Sequence, residues 1–289
     1  MAKIKEKKKI QPYKVILIVF TCIFAVYAFT LLYPFLWLIF NSFRDWKSFL
    51  NNPMSFEGLK VGELFKNYAT VFNNEDFNIF EMYFNSITLV VGQTFVSLFA
   101  MACTSYIVAR YTFFGRTFVY ALSTIVMMVP LQGGLITLYT FMSDTGMIDT
   151  YFGMIFMNAW GFGFNFFVLY GFFKNISPSY SEAASIDGAG HFVIFWKIML
   201  PQCVPVLVSL GVVSAIGVWN DYYTQMVFYS DHNTVAVGIQ TLSVEFAEKK
   251  WNYPVFFAAI VVTTLPVIVL YASCQKIIVN NTAVGGLKG

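Results

Sequence analysis

The side chains that could bind a ligand are few, and one group of them surrounds an isolated acid. Asp221 interrupts an otherwise uncharged apolar run, beside Asn220, Tyr222 and Tyr223. An ionisable side chain in an apolar segment is costly and usually functional, and the amide and phenol groups around it could hydrogen-bond to a polar ligand. Alternatively, the acid is half-solvated at a helix end within a belt of interfacial aromatic residues. Gln225 shares this stretch.

Other polar, aromatic and reactive side chains give weaker signals. Asn158 and Trp160 lie in a separate apolar run and are secondary candidates for contact with the same ligand. The two histidines, His191 and His232, are expected at the surface. The cysteines stand in or beside apolar runs without C-x-x-C spacing, so we expect small buried apolar residues and neither a disulfide framework nor a metal site. They are Cys22, Cys103, Cys203 and Cys274.

A second group of notable residues fills the segment 177–201, which begins with a predicted helix. Ser177 could cap that helix with a proline at its first position. Alternatively, Ser179 and Glu182 could form a capping box. Ala183 and Ala184 would then present a small, smooth face that another protein could approach closely.

A turn and a second helix are predicted to follow. The pair Asp187 and Gly188 is a strong turn signal, and the apolar spacing over 191–199 predicts an amphipathic helix that Pro201 should end. Two short helices of this kind suit a surface element that fits a groove in a partner protein.

The elements that carry these groups must lie in a membrane, because the composition does not suit a soluble domain. Of 289 residues, 58% are hydrophobic, 19% aromatic and only 11% charged, whereas soluble domains carry roughly 25% charged residues. The net charge of +3 and the lack of a basic stripe argue against nucleic-acid binding. The many Phe and Tyr residues exclude intrinsic disorder.

Long apolar runs predict an all-α membrane protein with six transmembrane helices, since about 20 apolar residues of helix cross a bilayer. The runs lack the alternation of a membrane β-barrel. They cover 15–43, 82–109, 117–143, 150–173, 198–220 and 251–275.

The charges between the runs predict the orientation. With the N-terminus inside, the inner segments hold twelve Lys and Arg side chains against three acids, and the outer segments hold six against eleven. This excess of inner basic residues places both termini in the cytoplasm. We expect a basic cytoplasmic tail over 1–14 and one transmembrane domain over 15–289, with an external loop of short helices at 44–81 and a cytoplasmic loop at 174–201.

The cytoplasmic loop resembles the EAA loop of permease subunits of bacterial ATP-binding-cassette importers. The pattern E-A-A-x-x-D-G-A, followed by I-x-L-P, fits without gaps. The matching residues are Glu182, Ala183, Ala184, Asp187, Gly188, Ala189, Ile198, Leu200 and Pro201.

The rest of the chain resembles the carbohydrate-uptake branch of these importers, in the subunit type of the second maltose permease. Tyr222 departs from this pattern, because the family often has Phe after the Trp-Asn-acid triplet. The matching stretches are Asn85-Ser86, Ala109-Arg110, Gly115-Arg116, Met128-Val129-Pro130, Trp219-Asn220-Asp221 and the glycine-rich tail at 285–289.

The resemblance implies a type I importer transmembrane domain in a bacterial plasma membrane. It implies a second, homologous permease subunit, two ATPase subunits that receive the EAA loops, and an extracytoplasmic sugar-binding protein. The sequence has no G-x-x-x-x-G-K-[ST] phosphate loop. ATP and Mg²⁺ are therefore expected on the ATPase, with no cofactor or metal and no enzymatic activity in this chain. Residues 287–289 are a secondary candidate for ATPase contact.

Two other functions remain as alternatives. A permease of the same class could import a solute other than a sugar. An ion-coupled secondary transporter is less favoured, because such proteins usually show internal repeats and broken, charged helices.

Overall fold

The computed structural model describes residues 12–55, 57–59, 63–73, 78–128, 134–249 and 252–285. Side chains are described except at 12, 15, 246–249 and 279–285. Val129 and Pro130, the glycine-rich tail beyond 285 and most of the basic tail lie outside these residues.

All regular elements in the described part of the chain are helical. The first three helices are α1 (Pro12–Ser42), α2 (Trp46–Asn51) and α3 (Lys66–Phe72). Next come α4 (Ile79–Arg110), α5 (Arg116–Met128), α6 (Gly134–Asp144), α7 (Tyr151–Phe156), α8 (Phe164–Asn175) and α9 (Ser179–Ile186). The last are α10 (His191–Ile194), a π-helical turn (Phe195–Met199), α11 (Leu200–Asn220), α12 (Tyr222–Phe228), α13 (Val235–Lys249) and α14 (Tyr253–Gly285).

Four stretches within these helices are long and apolar enough to cross a membrane, and they match four of the six predicted runs. They are Ile16–Ser42, Ile79–Arg110, His191–Asn220 and Tyr253–Ile278. The run 117–143 contains the separate helices α5 and α6, and the run 150–173 contains α7 and α8.

The chain divides into two compact units, one of which comprises residues 1–73 and 246–262. The side chains of 16–36 in α1 are exposed, as expected for a helix surrounded by lipid. Arg44 is buried and donates hydrogen bonds to the carbonyl oxygens of Glu57, Ser48 and Asn52 at 2.8–3.0 Å. These bonds organise the loop after α1, where α2 and α3 are the short helices of the segment 44–81.

The second unit comprises residues 74–245 and 263–289. Helix α4 is its central element and packs against α7, α8 and α11. One core cluster joins the end of α4 that includes Tyr106 to Phe173 of α8 and Cys203 of α11. A second cluster lies near the other end of α4, around Leu89, Met154 and Phe228. The first cluster includes Ala184 of the segment 177–201. The second includes Phe228 of α12, the helix that follows Asp221.

Candidate functional site

Helix α9 begins at Ser179 with Pro178 as its N-cap and without a side-chain capping hydrogen bond, so neither of the two predicted capping arrangements forms as expected. The Ser177 hydroxyl accepts from the Ser179 N–H at 3.4 Å, and Pro178 has helical torsions of φ −56° and ψ −27°. The Glu182 N–H donates to the carbonyl oxygen of Pro178 at 3.0 Å rather than closing a capping box. Glu182 lies in the first turn, where a negative charge is favoured by the helix dipole.

The turn after α9 is a Schellman motif. The Ala189 N–H donates to the carbonyl oxygen of Ala184 at 2.9 Å, and the Gly188 N–H donates to that of Ser185 at 3.1 Å. Gly188 has φ +82°, a conformation that side-chain-bearing residues rarely adopt. The turn predicted at Asp187 and Gly188 is confirmed, and it sets the direction in which the next helix leaves.

Ala184 faces the core of its own chain, which corrects the prediction that both alanines form an outward docking face. Its side chain is only 9% exposed and belongs to the cluster that contains Tyr106, Phe173 and Met199. Its neighbour Ala183 is exposed. Through Ala184, α9 joins a core cluster whose other members include residues of α4, α8, α11 and the helix that begins at His191.

Hydrogen bonds from the end of α4 also fix the loop. The Arg110 guanidinium donates to the carbonyl oxygen of Ser177 at 3.4 Å, two residues before α9 begins. The Tyr111 hydroxyl and Nδ1 of His191 are 3.1 Å apart, close to the start of α10. Arg116 donates to the carbonyl oxygens of residues 108 and 109 at 2.8 and 3.2 Å and thereby caps α4.

The second half of the motif lies in a helix that continues into a long apolar span, so the prediction that Pro201 ends this helix is wrong. Ile198 and Leu200 pack against the same core cluster as Ala184. The helix passes Pro201 through the π-helical turn, in which the Leu200 N–H donates to the carbonyl oxygen of Phe195. Proline cannot donate and crowds the carbonyl four residues earlier, so a wider turn before it reduces the clash.

The outward face of α9 includes a residue that the sequence reading did not single out. Ile186 is 86% exposed, one helical turn beyond the exposed Glu182. Asp187 is exposed as well. The spacing from Ala184 could have predicted this face, but only once Ala184 was known to point inward.

The helical structure is interrupted at Asp221, between α11 and α12. The Asp221 carboxylate accepts from the Thr224 N–H at 3.0 Å and caps α12. Asn220 donates back to the carbonyl oxygen of Ile216 at 2.9 Å. The structure therefore gives Asp221 a capping role at a helix end. Tyr222 and Tyr223, the next residues, are exposed.

Gln225 bridges this break and is not available as a ligand-binding group. Its side chain is 3% exposed, and its Nε2 donates to the carbonyl oxygen of Val218 at 3.0 Å, before the break. Its Oε1 accepts from the Thr234 hydroxyl. Both ends of the amide are thus occupied within the chain.

The stretch Asn85-Ser86 in α4 holds the segment that follows α12. Asn85 donates to the carbonyl oxygen of Asn233 at 2.8 Å and accepts from the Tyr151 hydroxyl at 2.5 Å. The Ser86 hydroxyl accepts from the Val235 N–H at 2.8 Å. Sequence reasoning assigned no contact to this pair, because its partners are more than 60 residues away along the chain.

Asn158 and Trp160 lie in an unwound segment, 157–163, between α7 and α8. The Asn158 amide donates to Oε1 of the buried Gln93 at 3.0 Å, and the Thr104 hydroxyl donates to the carbonyl oxygen of Gly161 at 2.5 Å. Gly163 has φ +134°, which favours glycine and helps to end the unwound stretch. Trp160 is 57% exposed.

A family model described as "Binding-protein-dependent transport system inner membrane component" matches residues 101–283. The diacetylchitobiose uptake system permease protein NgcG of Streptomyces coelicolor is 29% identical over 255 residues, covering 87% of this chain and 82% of that protein. The trehalose/maltose transport system permease protein MalG of Thermococcus litoralis is 28% identical over 261 residues, covering 89% and 92%.

The fold also resembles a solved structure. A bacterial ABC transporter involved in the import of the acidic polysaccharide alginate superposes with a TM-score of 0.78 at 23% identity, covering 93% of this chain and 99% of that chain. The family match spans well over half of the sequence and includes the whole EAA-like loop. The chain therefore belongs to the inner membrane components of binding-protein-dependent transport systems and is a multi-pass permease of the plasma membrane.

Proposed function

We propose that this chain is the membrane-spanning subunit of an ATP-driven carbohydrate importer, with an oligosaccharide as the preferred substrate class. It forms half of the translocation pathway and docks on an ATPase subunit through the loop at 174–201. The sugar assignment is supported by the names of the relatives, which are permeases for diacetylchitobiose and for trehalose and maltose. The docking assignment is supported by the loop itself.

The docking role is supported by the way in which α9 packs, with one side buried and the other exposed. One side of this helix is held in the core through Ala184, while Glu182 on the other side is exposed. Because Ala184 belongs to a core cluster that also contains residues of α4, α8 and the helix that begins at His191, a force on the outer face of α9 would be transmitted to these elements through that cluster. A movement of the ATPase would reach the membrane helices by this route.

The proposed assembly contains a second, homologous permease, two ATPase subunits and an extracytoplasmic sugar-binding protein. The family description names dependence on a binding protein. ATP and Mg²⁺ would bind to the ATPase subunits, and this chain would supply no catalytic group. Glu182 would pair with a basic side chain of the ATPase, and residues 287–289 would add a second contact.

The proposed topology has six membrane crossings and both termini in the cytoplasm. Four crossings correspond to the long apolar helices. The pairs α5–α6 and α7–α8 would each make one crossing, the second of which is interrupted by the unwound segment 157–163. Unwound backbone at membrane depth is tolerated where it is buried in protein or lines a cavity. Two hydrogen bonds of the segment 157–163 with α4 fit that condition, one donated by Asn158 to Gln93 and one donated by Thr104 to the carbonyl oxygen of Gly161.

The pathway is proposed to pass Asn220, Tyr222 and Tyr223 beyond the break at Asp221, and Asn158 and Trp160 in the unwound segment. The exposed rings of Tyr222, Tyr223 and Trp160 could stack on sugar faces. Asp221 would act mainly by fixing the backbone that presents its neighbours.

The function can be tested on the complex purified in detergent through a tag on this chain. We expect an ATPase to co-purify and its activity to rise when the cognate binding protein is added with its sugar, which a panel of glycans would identify. Activation by a solute other than a sugar would support the alternative importer. Uptake driven by an ion gradient without ATP would refute the proposal.

A further inference from the structure

The outer face of α9 combines an apolar side chain with acids. At about 100° per residue, Glu182 and Ile186 each lie about 160° around the helix axis from Ala184. Because Ala184 is fixed in the core, these two side chains point away from it. Asp187 follows directly and is exposed.

Ile186 is exposed although a hydrophobic contact normally accompanies this kind of turn. In a Schellman motif, that contact is made between the residue after the glycine and the residue five positions before it, here Ala189 and Ala184. Both of these belong to or pack on the core cluster. The internal contact is therefore complete without Ile186. Its side chain is 86% exposed and is free to contact another molecule.

We propose that Ile186 is the apolar anchor by which this chain docks on its ATPase, in a groove with an apolar floor and a basic rim. This inference rests on the proposed function and specifies the chemistry of the partner surface. The aliphatic side chain would fill the floor, and Glu182 and Asp187 would face cationic side chains at the rim. Tight apolar anchors surrounded by charged pairs are typical of protein interfaces.

The charges favour a protein partner over the membrane surface. Among the charged residues assigned to the inner side, Glu182 and Asp187 are two of only three acids. The cytoplasmic leaflet is negatively charged and attracts basic segments, so an acidic patch is repelled from it. A basic protein groove is attracted to the same patch.

The test compares three variants in the tagged complex purified from membranes. Ile186→Asp is expected to lower both the ATPase recovered per permease and ATP-driven uptake at least tenfold. Ile186→Leu keeps an aliphatic anchor and should stay within twofold of the parent. Phe114→Asp is the matched control, because it makes the same change from an exposed apolar residue to an acid in the turn between α4 and α5, outside the docking loop, and should also stay within twofold.

A photo-crosslinking residue locates the contact directly. Ile186→p-benzoylphenylalanine should crosslink to the co-purifying ATPase, identified by peptide mass, whereas crosslinking to lipid alone would overturn the proposal. Normal recovery of ATPase with Ile186→Asp would also overturn it. If Glu182→Lys still abolished recovery in that case, the docking loop would stand and only the anchor would be wrong. If neither variant had an effect, the docking function itself would fail.

Discussion

The backbone N–H of Ala189 donates to the carbonyl oxygen of Ala184 across 2.9 Å, and this bond closes the loop over Gly188. The same Ala184 has its side chain in the core that joins α4, α8 and the helix after the turn. One residue thus fixes both the end of α9 and the surface on which α9 rests. The outward direction of Glu182 and Ile186 follows from this arrangement.

Gly188 is needed for its backbone conformation rather than for lack of space. A Cβ at this position would meet no heavy atom within 4 Å, but φ is +82°. Replacement with a residue other than glycine should therefore cost about 1 kcal/mol or more. We expect Gly188→Val to abolish uptake while the chain still inserts in the membrane, and Gly188→Asn to retain much of it, because Asn tolerates this region.

Both Gly188 variants are compared by their uptake per inserted permease, and the amount inserted is measured in the membrane fraction. Equal loss in Gly188→Asn and Gly188→Val would show that the backbone conformation is not the cause. Glu182→Lys should also abolish uptake, by reversing the exposed charge. Unchanged uptake in both Gly188→Val and Glu182→Lys would refute the docking role of the loop.

Ala184 should not accept a larger side chain. Ala184→Leu would force three added carbons into the packed cluster and should destabilise the protein by about 1–3 kcal/mol. Ser185→Leu adds a similar side chain at an exposed position and should change stability little. The midpoint of thermal unfolding, followed by size-exclusion chromatography, separates the two. A midpoint for Ala184→Leu equal to that of Ser185→Leu would contradict the packing described.

Asp221 is expected to work through its capping oxygen. Asp221→Asn keeps an acceptor for the Thr224 N–H and should transport at nearly the parental rate, since Asn and Asp cap helices equally well. Asp221→Ala removes the acceptor at a cost of about 1 kcal/mol and should lower uptake several-fold. The uptake rates of the two variants distinguish helix capping by Asp221 from a direct action of its negative charge on the substrate. A loss in Asp221→Asn as large as in Asp221→Ala would indicate that the negative charge itself acts on the substrate.

The hydrogen bond between Gln93 and Asn158 is expected to hold the unwound segment in place. Gln93→Leu leaves the Asn158 amide without its partner and should cost about 1–2 kcal/mol. The double variant Gln93→Leu/Asn158→Leu should be less damaging than the sum of the two single changes, because no polar group is then left unpaired. Thermal unfolding of all four proteins gives the coupling. Strict additivity would show that the two side chains do not interact.

Much of this protein can be predicted from local sequence. Apolar runs of about 20 residues identified the four long spans, because length and hydrophobicity alone determine whether a helix can cross a bilayer. Asp187 and Gly188 predicted the turn after α9, because a left-handed position favours glycine regardless of its neighbours. The spacing of the EAA-like loop indicated the family, which the family match over residues 101–283 confirmed.

Tertiary structure decided which way the side chains face and which remain available. Ala183 and Ala184 are the same residue type, yet only Ala184 is buried, because its side chain joins a core cluster whose other members include residues of α4, α8, α11 and the helix after the turn. Gln225 looked like a ligand-binding amide until Val218 and Thr234 occupied both of its ends. Pro201 is expected from the sequence to end a helix, but the π-helical turn before it allows the helix to continue. The sequence alone determined the class of protein and its motifs, whereas contacts between distant residues decided their roles, because burial and pairing depend on neighbours that only folding brings together.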